Sequence, residues 1–140
     1  MATVSEIMVK NVLVASPDYK LSVLEKMMEN KKVGHIFITN LNQLLGVVSD
    51  GDIKRRKSYL AGTDVSTARE EQTLETKAHQ IMTRELHTLR PESDIIGALD
   101  LLLTHDIHSI PIVDGGGKLL GIITTTDLLK YLKKLLVEKS

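Results

Sequence analysis

Two copies of a seven-residue motif place a hydroxyl three residues before a carboxylate. The sequence reads GVVSDGD at 46–52 and GIITTTD at 121–127. This S/T-x-x-D spacing is typical of a helix capping box, in which both side chains accept hydrogen bonds from free backbone N–H groups. The alternative chemistry is ligand binding, because a carboxylate can accept hydrogen bonds from both hydroxyls of a ribose and phosphate prefers a helix N-terminus. The candidates for either role are Ser49, Asp52, Thr124 and Asp127.

The two motif copies differ in charge. Asp50 lies inside the first copy, where the second copy has Thr125. A second carboxylate would repel a bound phosphate unless a cation intervenes. The basic run at 54–57 follows at once and could supply that cation, or it could be a solvated helix face. We include Arg55, from this run, among the candidate binding residues.

An internal duplication underlies the paired motifs. A shift of 74 residues places Ile7 and Met8 on Ile81 and Met82. A one-residue insertion in the glycine turn at 115–117 changes the shift to 75, and the two motifs then coincide. Further matches occur in the same order, namely Pro17 with Pro91, Ile36 with Ile110, and Ile38 with Ile112. The sequence therefore predicts two copies of one structural unit.

Each copy predicts the same order of elements. An apolar lead-in ends in Ile-Met, and a brief strand follows at 11–16 or 85–90, ended by a proline that cannot donate to a β-ladder. Apolar residues at helical spacing then predict a helix, with Asp94 as the expected N-cap in the second copy. Two strands follow, with a turn at 114–117 in the second copy, and a second helix begins at the motif. The helix spacing is carried by Leu21, Leu24, Met27 and Met28, and by Ile95, Ala98, Leu99, Leu102 and Leu103.

A three-stranded sheet with two helices leaves apolar surface that one unit of about 60 residues buries poorly. Two units packed sheet to sheet would bury it, so we predict an α+β fold of two β-α-β-β-α repeats packed as a pseudo-twofold pair. The first repeat is placed at 1–60 and the second at 78–140, with a partly helical linker at 61–77. A capping-box match at 67–70 favours a helix in this linker, and a flexible loop is the alternative.

The composition excludes several classes of function. Lys and Arg balance Asp and Glu at 18 each, so a nucleic-acid partner is not expected, because phosphate contacts need a basic excess or a basic stripe. No apolar run approaches the ~20 residues that span a bilayer, and the N-terminus lacks the pattern of a signal peptide. The absence of cysteine fits a reducing compartment. We therefore expect a cytoplasmic protein that does not contact membranes.

The repeated features together resemble the tandem CBS domain, named for cystathionine β-synthase and also called a Bateman module. The resemblance covers nearly the whole chain. It rests on the two Ile-Met lead-ins, the two prolines that end the first strands, HDIHSIPIVD at 105–114 and the two G-h-h-S/T-x-x-D motifs, where h is an aliphatic residue. Each feature is weak alone, but all of them occur in order, twice.

The resemblance implies a ligand sensor. CBS pairs often bind an adenine nucleotide, such as AMP, ADP, ATP or S-adenosylmethionine, in clefts between the repeats, and they regulate an attached or associated protein. No further cofactor is implied. The segment SDGDIKRR at 49–56 also resembles CBS pairs appended to sugar-phosphate isomerases and sugar nucleotidyltransferases, but these 140 residues contain no such catalytic domain. We expect a free-standing regulatory protein with a separate, unidentified partner and, as is common in the family, a homodimer.

Two histidines and a proline extend the candidate nucleotide site by this resemblance. In the similar γ subunit of the AMP-activated kinase, His or Arg at the start of the second strand reaches ligand phosphate. His108 aligns with that position and His35 falls one residue later; a structural role is the alternative for both. Pro111 stands where the family usually has proline, whereas the first copy has Phe37. We therefore predict that the site at Asp127 is the more family-like of the two.

Catalysis and metal binding are not expected. The sequence has no cysteine nucleophile, no G-x-S-x-G elbow and no P-loop lysine motif. His105 and His108 have H-x-x-H spacing, but no further metal ligands can be named. The leading hypothesis is an adenine-nucleotide sensor, and the alternative is an oligomerisation or scaffold module with no physiological nucleotide. An apolar stripe in the last helix suits either association or packing within its own domain; it comprises Leu128, Leu129, Leu132, Leu135 and Leu136.

Overall fold

The computed structural model describes residues 2–60 and 75–139. The linker helix expected at 67–70 lies outside the described residues. The first repeat contains a 3-10 turn, β1, α1, β2, β3 and α2, and the second contains α3, α4, β4, β5 and α5. The bounds are Val4–Glu6 for the 3-10 turn, Val14–Ala15 for β1, Leu21–Lys31 for α1, His35–Asn40 for β2, Gln43–Ser49 for β3, Asp50–Leu60 for α2, Ala78–Ile81 for α3, Ile95–Thr104 for α4, Ser109–Val113 for β4, Leu119–Thr124 for β5 and Thr125–Lys139 for α5.

The strands of the two repeats pair in the same way. In the first repeat the sheet order is β1-β2-β3, with β1 parallel to β2 and β2 antiparallel to β3. A bulge interrupts the second pairing between Ile38 and Thr39. β4 and β5 are also antiparallel, with a bulge at the equivalent step between Ile112 and Val113. The duplication in the sequence therefore extends to the irregularities of the backbone.

The first strand expected in the second repeat, at 85–90, is reduced to a single bridge at Leu89. Leu89 donates its N–H to the carbonyl of Pro111 and accepts a hydrogen bond from the N–H of Val113. Extending this parallel ladder would need an N–H from Pro111, which proline lacks. Phe37 has an N–H at the equivalent position of the first repeat, where β1 pairs over two residues. The prediction of a full strand at 85–90 is wrong for this reason.

The chain divides into two compact units that differ from the two sequence repeats. One unit combines residues 1–12 with 87–140, and the other comprises 13–86. The lead-in of each repeat therefore lies in the unit that holds the sheet of the other repeat. Val9 bridges to β5 in the first of these units, and Thr83 bridges to β3 in the second.

Each unit has its own apolar core, formed by helix faces together with strand residues. Helix α1 buries Leu21, Leu24 and Met28, and α4 buries Ile95 and Ala98. The two helices predicted from apolar spacing are confirmed, but Leu103, which belongs to that spacing, is 84% exposed. The core of unit 13–86 comprises Ala15, Leu21, Leu24, Met28, Ile36, Ile38, Val48, Ile53, Ala78 and Met82. The core of the other unit comprises Val4, Ile95, Ala98, Ile110, Ile112, Ile123 and Leu128.

Two aspartates hold element ends in the second repeat. Asp94 begins α4 as predicted, because its carboxylate accepts a hydrogen bond from the N–H of Ile96 at 2.8 Å. Asp114 holds the predicted glycine turn by accepting hydrogen bonds from the N–H groups of Gly116 and Lys118, both at 2.9 Å. The bond from Lys118 is the main cause that lowers the pKa of the Asp114 carboxyl, and the bond from Gly116 adds to it.

The turn between β2 and β3 has residue types that the sequence did not mark as a turn. Leu41 and Asn42 both have positive φ, at 51° and 67°. Two consecutive residues of this kind form a type I′ hairpin turn, which favours Asn-Gly. Asn tolerates the left-handed region, whereas Leu does so at a cost. Leu41 is 90% exposed, so little apolar burial offsets that cost.

Leu41→Asn is expected to raise the free energy of unfolding by about 1 kcal/mol, since Asn adopts the left-handed conformation more readily. Urea unfolding of both proteins measures the difference. Gln43→Asn, which lies in β3 outside the turn, is the control and should bring no gain. A Leu41→Asn protein no more stable than the parent would show that the turn conformation is not strained.

Candidate functional site

The first motif forms the junction between β3 and α2. Ser49 is the last residue of β3, and α2 begins at Asp50. The N–H of Ser49 donates to Oδ2 of Asp52 at 2.8 Å, and the N–H of Asp52 donates to the Ser49 hydroxyl at 3.0 Å. These reciprocal bonds form a capping box, so the capping role predicted for Ser49 and Asp52 is confirmed.

The second motif has the same geometry between β5 and α5. The N–H of Thr124 donates to Oδ2 of Asp127 at 2.8 Å, and the N–H of Asp127 donates to the Thr124 hydroxyl at 3.2 Å. The Thr124 hydroxyl also donates to the same Oδ2 at 2.9 Å. Both hydrogen bonds that the Asp127 carboxylate accepts from the described residues therefore end on the same oxygen. Among residues 2–60 and 75–139, the other oxygen, Oδ1, accepts no hydrogen bond.

The carboxylate of Asp52 is more fully occupied than that of Asp127. Its Oδ1 accepts a hydrogen bond from the guanidinium of Arg55, one turn later on α2. The side chain of Asp52 is 10% exposed and that of Arg55 is 74% exposed. Lys54 forms an ion pair with Asp50 at 3.1 Å. Two residues of the basic run, Lys54 and Arg55, therefore contact the acids of the first motif directly.

Each of the two helices that begin at a motif, α2 and α5, has one backbone N–H at its start without a protein acceptor in the described part of the chain. At α5, the N–H groups of Thr124 and Asp127 are used by the capping box, and that of Thr125 donates to the carbonyl of His108 at 3.0 Å. This leaves the N–H of Thr126. The positive end of the helix dipole adds to this donor, so an anion would be stabilised here.

The two candidate histidines lie at different positions of their repeats. His35 is the first residue of β2 and pairs in register with Ser49; its ring meets that of Phe37 edge to face at 5.4 Å. His108 lies one residue before β4, so it does not start the strand as the sequence suggested. It is exposed, and its carbonyl binds the start of α5. The structure thus brings His108 beside the second motif through its backbone.

Pro111 is buried within β4, where it pairs with Ile122. Its carbonyl accepts the hydrogen bond from Leu89, and its missing N–H ends the adjoining ladder. The role of Pro111 that the structure displays is therefore in strand pairing, and a contact from Pro111 to a ligand stays a prediction.

The first glycine of each motif meets an Ile-Met lead-in, a relation that sequence reasoning missed. A Cβ added to Gly46 would lie 3.0 Å from side-chain atoms of Met82, and a Cβ added to Gly121 would lie 3.0 Å from Sδ of Met8. Each glycine therefore accommodates the methionine of the other repeat. The signal was present in the sequence, because the glycine and the methionine are both duplicated.

The family comparison identifies the repeats. A model of the CBS domain matches residues 4–59 and 78–134, so the chain belongs to the CBS domain family and carries two copies of the domain. The fold agrees with this: CBSX2, solved in complex with AMP, superposes with a TM-score of 0.81 at 24% identity over 96% of this chain and 98% of that chain. The CBS domain pair of protein MJ0100, solved with 5′-methylthioadenosine and S-adenosylmethionine, has a TM-score of 0.74 at 18% identity, covering 96% of this chain and 98% of that one.

The curated relatives include short and long proteins. An uncharacterized 17.7 kDa protein of Acidianus ambivalens is 25% identical over 94% of this chain and 74% of its own length. An arabinose 5-phosphate isomerase of Francisella tularensis is 30% identical over 72% of this chain, which spans 28% of that enzyme. The chain likewise spans 23% of an inosine-5′-monophosphate dehydrogenase of Methanocaldococcus jannaschii. The similarity to these enzymes is therefore confined to a minor part of each.

Metal and membrane features are absent from the part of the chain that the structure describes. No three His, Cys, Asp or Glu side chains in it lie close enough together to hold a metal ion. No helix in it has the length and apolar character needed to cross a bilayer.

Proposed function

We propose that this CBS pair is a sensor that binds an adenine nucleotide at one or both motifs and thereby changes how it engages a regulated protein. The observation that carries the proposal is the second motif, where an open carboxylate oxygen of Asp127 lies at the same helix start as an open N–H of Thr126. A ribose hydroxyl can donate to the first, and a phosphate oxygen can accept from the second. AMP, ADP, ATP and S-adenosylmethionine are the candidate ligands.

Likeness to ligand-bound CBS pairs supports the ligand class. CBSX2 binds AMP, and the MJ0100 pair binds 5′-methylthioadenosine and S-adenosylmethionine. These ligands share an adenosine moiety and differ in charge at the 5′ position. We therefore assign the ribose to the motif aspartate as the common element, with Thr124 or Ser49 beside it. His108, His35, Pro111 and Arg55 remain proposed contributors to the remainder of the site.

The two sites are proposed to be unequal. At the first motif a ribose hydroxyl must compete with Arg55 for Asp52, whereas Oδ1 of Asp127 has no protein donor to displace among the described residues. The charge-assisted bond from Arg55 is exposed, which weakens it but does not remove the competition. We therefore place the stronger ribose site at Asp127.

We propose that the pair has a regulatory role and does not itself catalyse a reaction. The relatives named as enzymes are much longer than this chain, so their reactions are not transferred to it. We propose instead that the protein regulates a separate partner in the cytoplasm and acts as a homodimer. The second candidate is an oligomerisation or scaffold module, which the exposed leucines of α5 favour.

Thermal unfolding distinguishes a sensor from a scaffold. Ligand that binds only the native state at 100 times its Kd adds about 2.7 kcal/mol to the free energy of unfolding. At least one of AMP, ADP, ATP and S-adenosylmethionine at millimolar concentration is therefore expected to raise the Tm by several degrees. Inorganic phosphate at the same concentration is the control and should have a smaller effect. An unchanged Tm with all four ligands would contradict the sensor and favour the scaffold.

A further inference from the structure

The two lead-in methionines make equivalent contacts but differ in exposure. A Cβ added to Gly121 would lie 3.0 Å from Sδ of Met8, and one added to Gly46 would lie 3.0 Å from Sδ of Met82. Met82 is 8% exposed and belongs to the core of unit 13–86. Met8 is only partly buried, where it packs against the core of the other unit. An oxidant in solvent therefore reaches Met8 more easily than Met82, because the susceptibility of a sulfur follows its exposure.

Methionine supplies all the sulfur of this chain, which has five methionines and no cysteine. A hydroperoxide therefore meets no thiolate that would react with it first. The structure describes four of the five methionines. Met28 and Met82 are buried, whereas Met8 and Met27 are partly buried. Met27 lies within helix α1, but Met8 holds a lead-in against a strand, so oxidation of Met8 has the larger expected effect on the fold.

A sulfoxide at Met8 is incompatible with the contact to Gly121. The sulfur lies so close to the glycine that even a methyl group there would be crowded, so an added oxygen cannot point toward the strand. A sulfoxide is also polar and needs a hydrogen-bond donor or water. The side chain must turn outward to reach one, which removes it from Gly121. The next residue, Val9, exchanges hydrogen bonds of 2.8 and 2.9 Å with Ile122, and these bonds would weaken with it.

We propose that Met8 is a site of reversible oxidation, at which a hydroperoxide detaches the first lead-in from β5. One oxygen atom passes from the peroxide to Sδ. The O–O bond breaks, an S–O bond forms, the sulfur loses two electrons, and hydrogen peroxide is reduced to water. Methionine sulfoxide reductases, supplied with a dithiol, reverse the step.

The strand that Met8 holds also carries the second motif. Gly121 is the first residue of that motif, and β5 ends at Thr124. The N–H and the hydroxyl of Thr124 both donate to the carboxylate of Asp127. Loosening β5 would therefore displace the acceptor that we assign to the ribose. This consequence rests on the sensor proposed above, whereas the oxidation itself does not.

Treatment of the purified chain with hydrogen peroxide tests the site. Tandem mass spectrometry follows each methionine with time and separates Met8 from Met1, which shares its tryptic peptide. Met8 is expected to oxidise at least about 10-fold faster than Met82. The Tm without ligand should fall by at least about 3 °C as the Met8 sulfoxide accumulates. Reductases for both sulfoxide epimers should restore it, and their dithiol has no disulfide to reduce in this chain.

Variants at equivalent positions identify the sulfur responsible. Met8→Leu nearly conserves volume and removes the sulfur, so peroxide should leave its Tm unchanged. Met82→Leu makes the same change in the equivalent contact, and Met27→Leu makes it at the other partly buried methionine. Peroxide should lower the Tm of both as it does in the parent. Met8→Gln has a polar side chain of similar length that peroxide does not oxidise, and its Tm should be as low as that of the oxidised parent.

Several results would contradict the proposal. Oxidation of Met82 or Met27 before Met8 would overturn it, and so would a Met8 sulfoxide with an unchanged Tm or a Met8→Leu variant as sensitive as the parent. Calorimetry with AMP tests the link to the second motif, since the oxidised parent should bind at least about 3-fold more weakly by the disruption that a sulfoxide causes. Unchanged affinity beside a lowered Tm would overturn that link while the oxidation site stands. A parent that binds no nucleotide would contradict the sensor alone, because the other measurements need no ligand.

Discussion

Gly46→Ala and Gly121→Ala are each expected to lower the free energy of unfolding by about 1–3 kcal/mol, the usual cost of overpacking a well-packed site. A Cβ at Gly46 would lie 2.6 Å from the carbonyl oxygen of Thr83, and a Cβ at Gly121 would lie 2.8 Å from that of Val9. Both distances are too short for a carbon and an oxygen that are not bonded. Urea unfolding of the two variants measures the loss.

The atom that an added Cβ would meet is a backbone carbonyl oxygen in both variants. The loss of stability is therefore hard to avoid, because a backbone atom cannot move aside as a flexible side chain can. The carbonyl of Thr83 accepts a hydrogen bond from Val47 at 3.0 Å, and the N–H of Thr83 donates back at 2.9 Å. Moving Thr83 away from a new Cβ would weaken both bonds. Val9 and Ile122 exchange the equivalent bonds, at 2.8 and 2.9 Å. Each alanine would therefore disturb the bridge that joins a lead-in to the sheet.

Gly97→Ala is the matched control for these variants. Gly97 lies in α4, and the nearest atom to an added Cβ is a methyl carbon of Leu89 at 3.9 Å, an ordinary contact. Alanine in a helix is more favourable than glycine, so this variant should gain about 0.5–1 kcal/mol. If Gly46→Ala and Gly121→Ala proved as stable as Gly97→Ala, the lead-ins would not be packed against the motif glycines.

The order of elements could be predicted because each repeat carries its own local signals. Asp94 marked a helix start, the glycine turn at 114–117 marked a hairpin, and helical spacing marked α1 and α4. These signals depend on neighbouring residues alone. The turn at Leu41 and Asn42 was not predicted from the sequence, because leucine is not typical of a turn, although the fold tolerates it at positive φ here.

The exchange of lead-ins could not be predicted from the apolar pattern. Met8 and Met82 are equivalent residues of the duplication, so a sheet of either repeat offers each of them the same kind of surface. The pattern indicates that both methionines are packed, but it does not say against which copy. Contacts between segments far apart in the chain decide this, as Val9 with β5 and Thr83 with β3 show.

The candidate site was predictable in part. The capping boxes at Ser49 and Thr124 follow from spacing alone, and the structure confirms both. The contact of Arg55 with Asp52 also has a local origin, because residues three apart on a helix are neighbours. Spacing alone does not say whether Arg55 pairs with Asp52 or with a ligand phosphate, because a guanidinium suits both partners.

Asp127→Asn is expected to weaken AMP binding by about 10- to 100-fold, whereas Asp52→Asn should change it by less than about 3-fold. The loss follows from removing the charge of one acceptor, since a hydrogen bond to a charged group contributes about 1.5–3 kcal/mol and 1.4 kcal/mol is tenfold in Kd. Asp52 should matter less because Arg55 already occupies its Oδ1. Isothermal titration calorimetry with AMP measures both effects.

The asparagine variants separate binding from capping. Asn keeps a carbonyl oxygen that can accept from the N–H of Thr124 or Ser49, so each box should retain most of its stabilising effect. The Tm without ligand should therefore change little in Asp127→Asn, and Asp52→Asn should lose in addition only the exposed contact with Arg55. An AMP affinity that is lost in Asp52→Asn and kept in Asp127→Asn would reverse the assignment of the stronger site. It would then follow that Arg55 moves from Asp52 to the ligand phosphate, and that charge from the basic run of α2 outweighs an open carboxylate oxygen at α5.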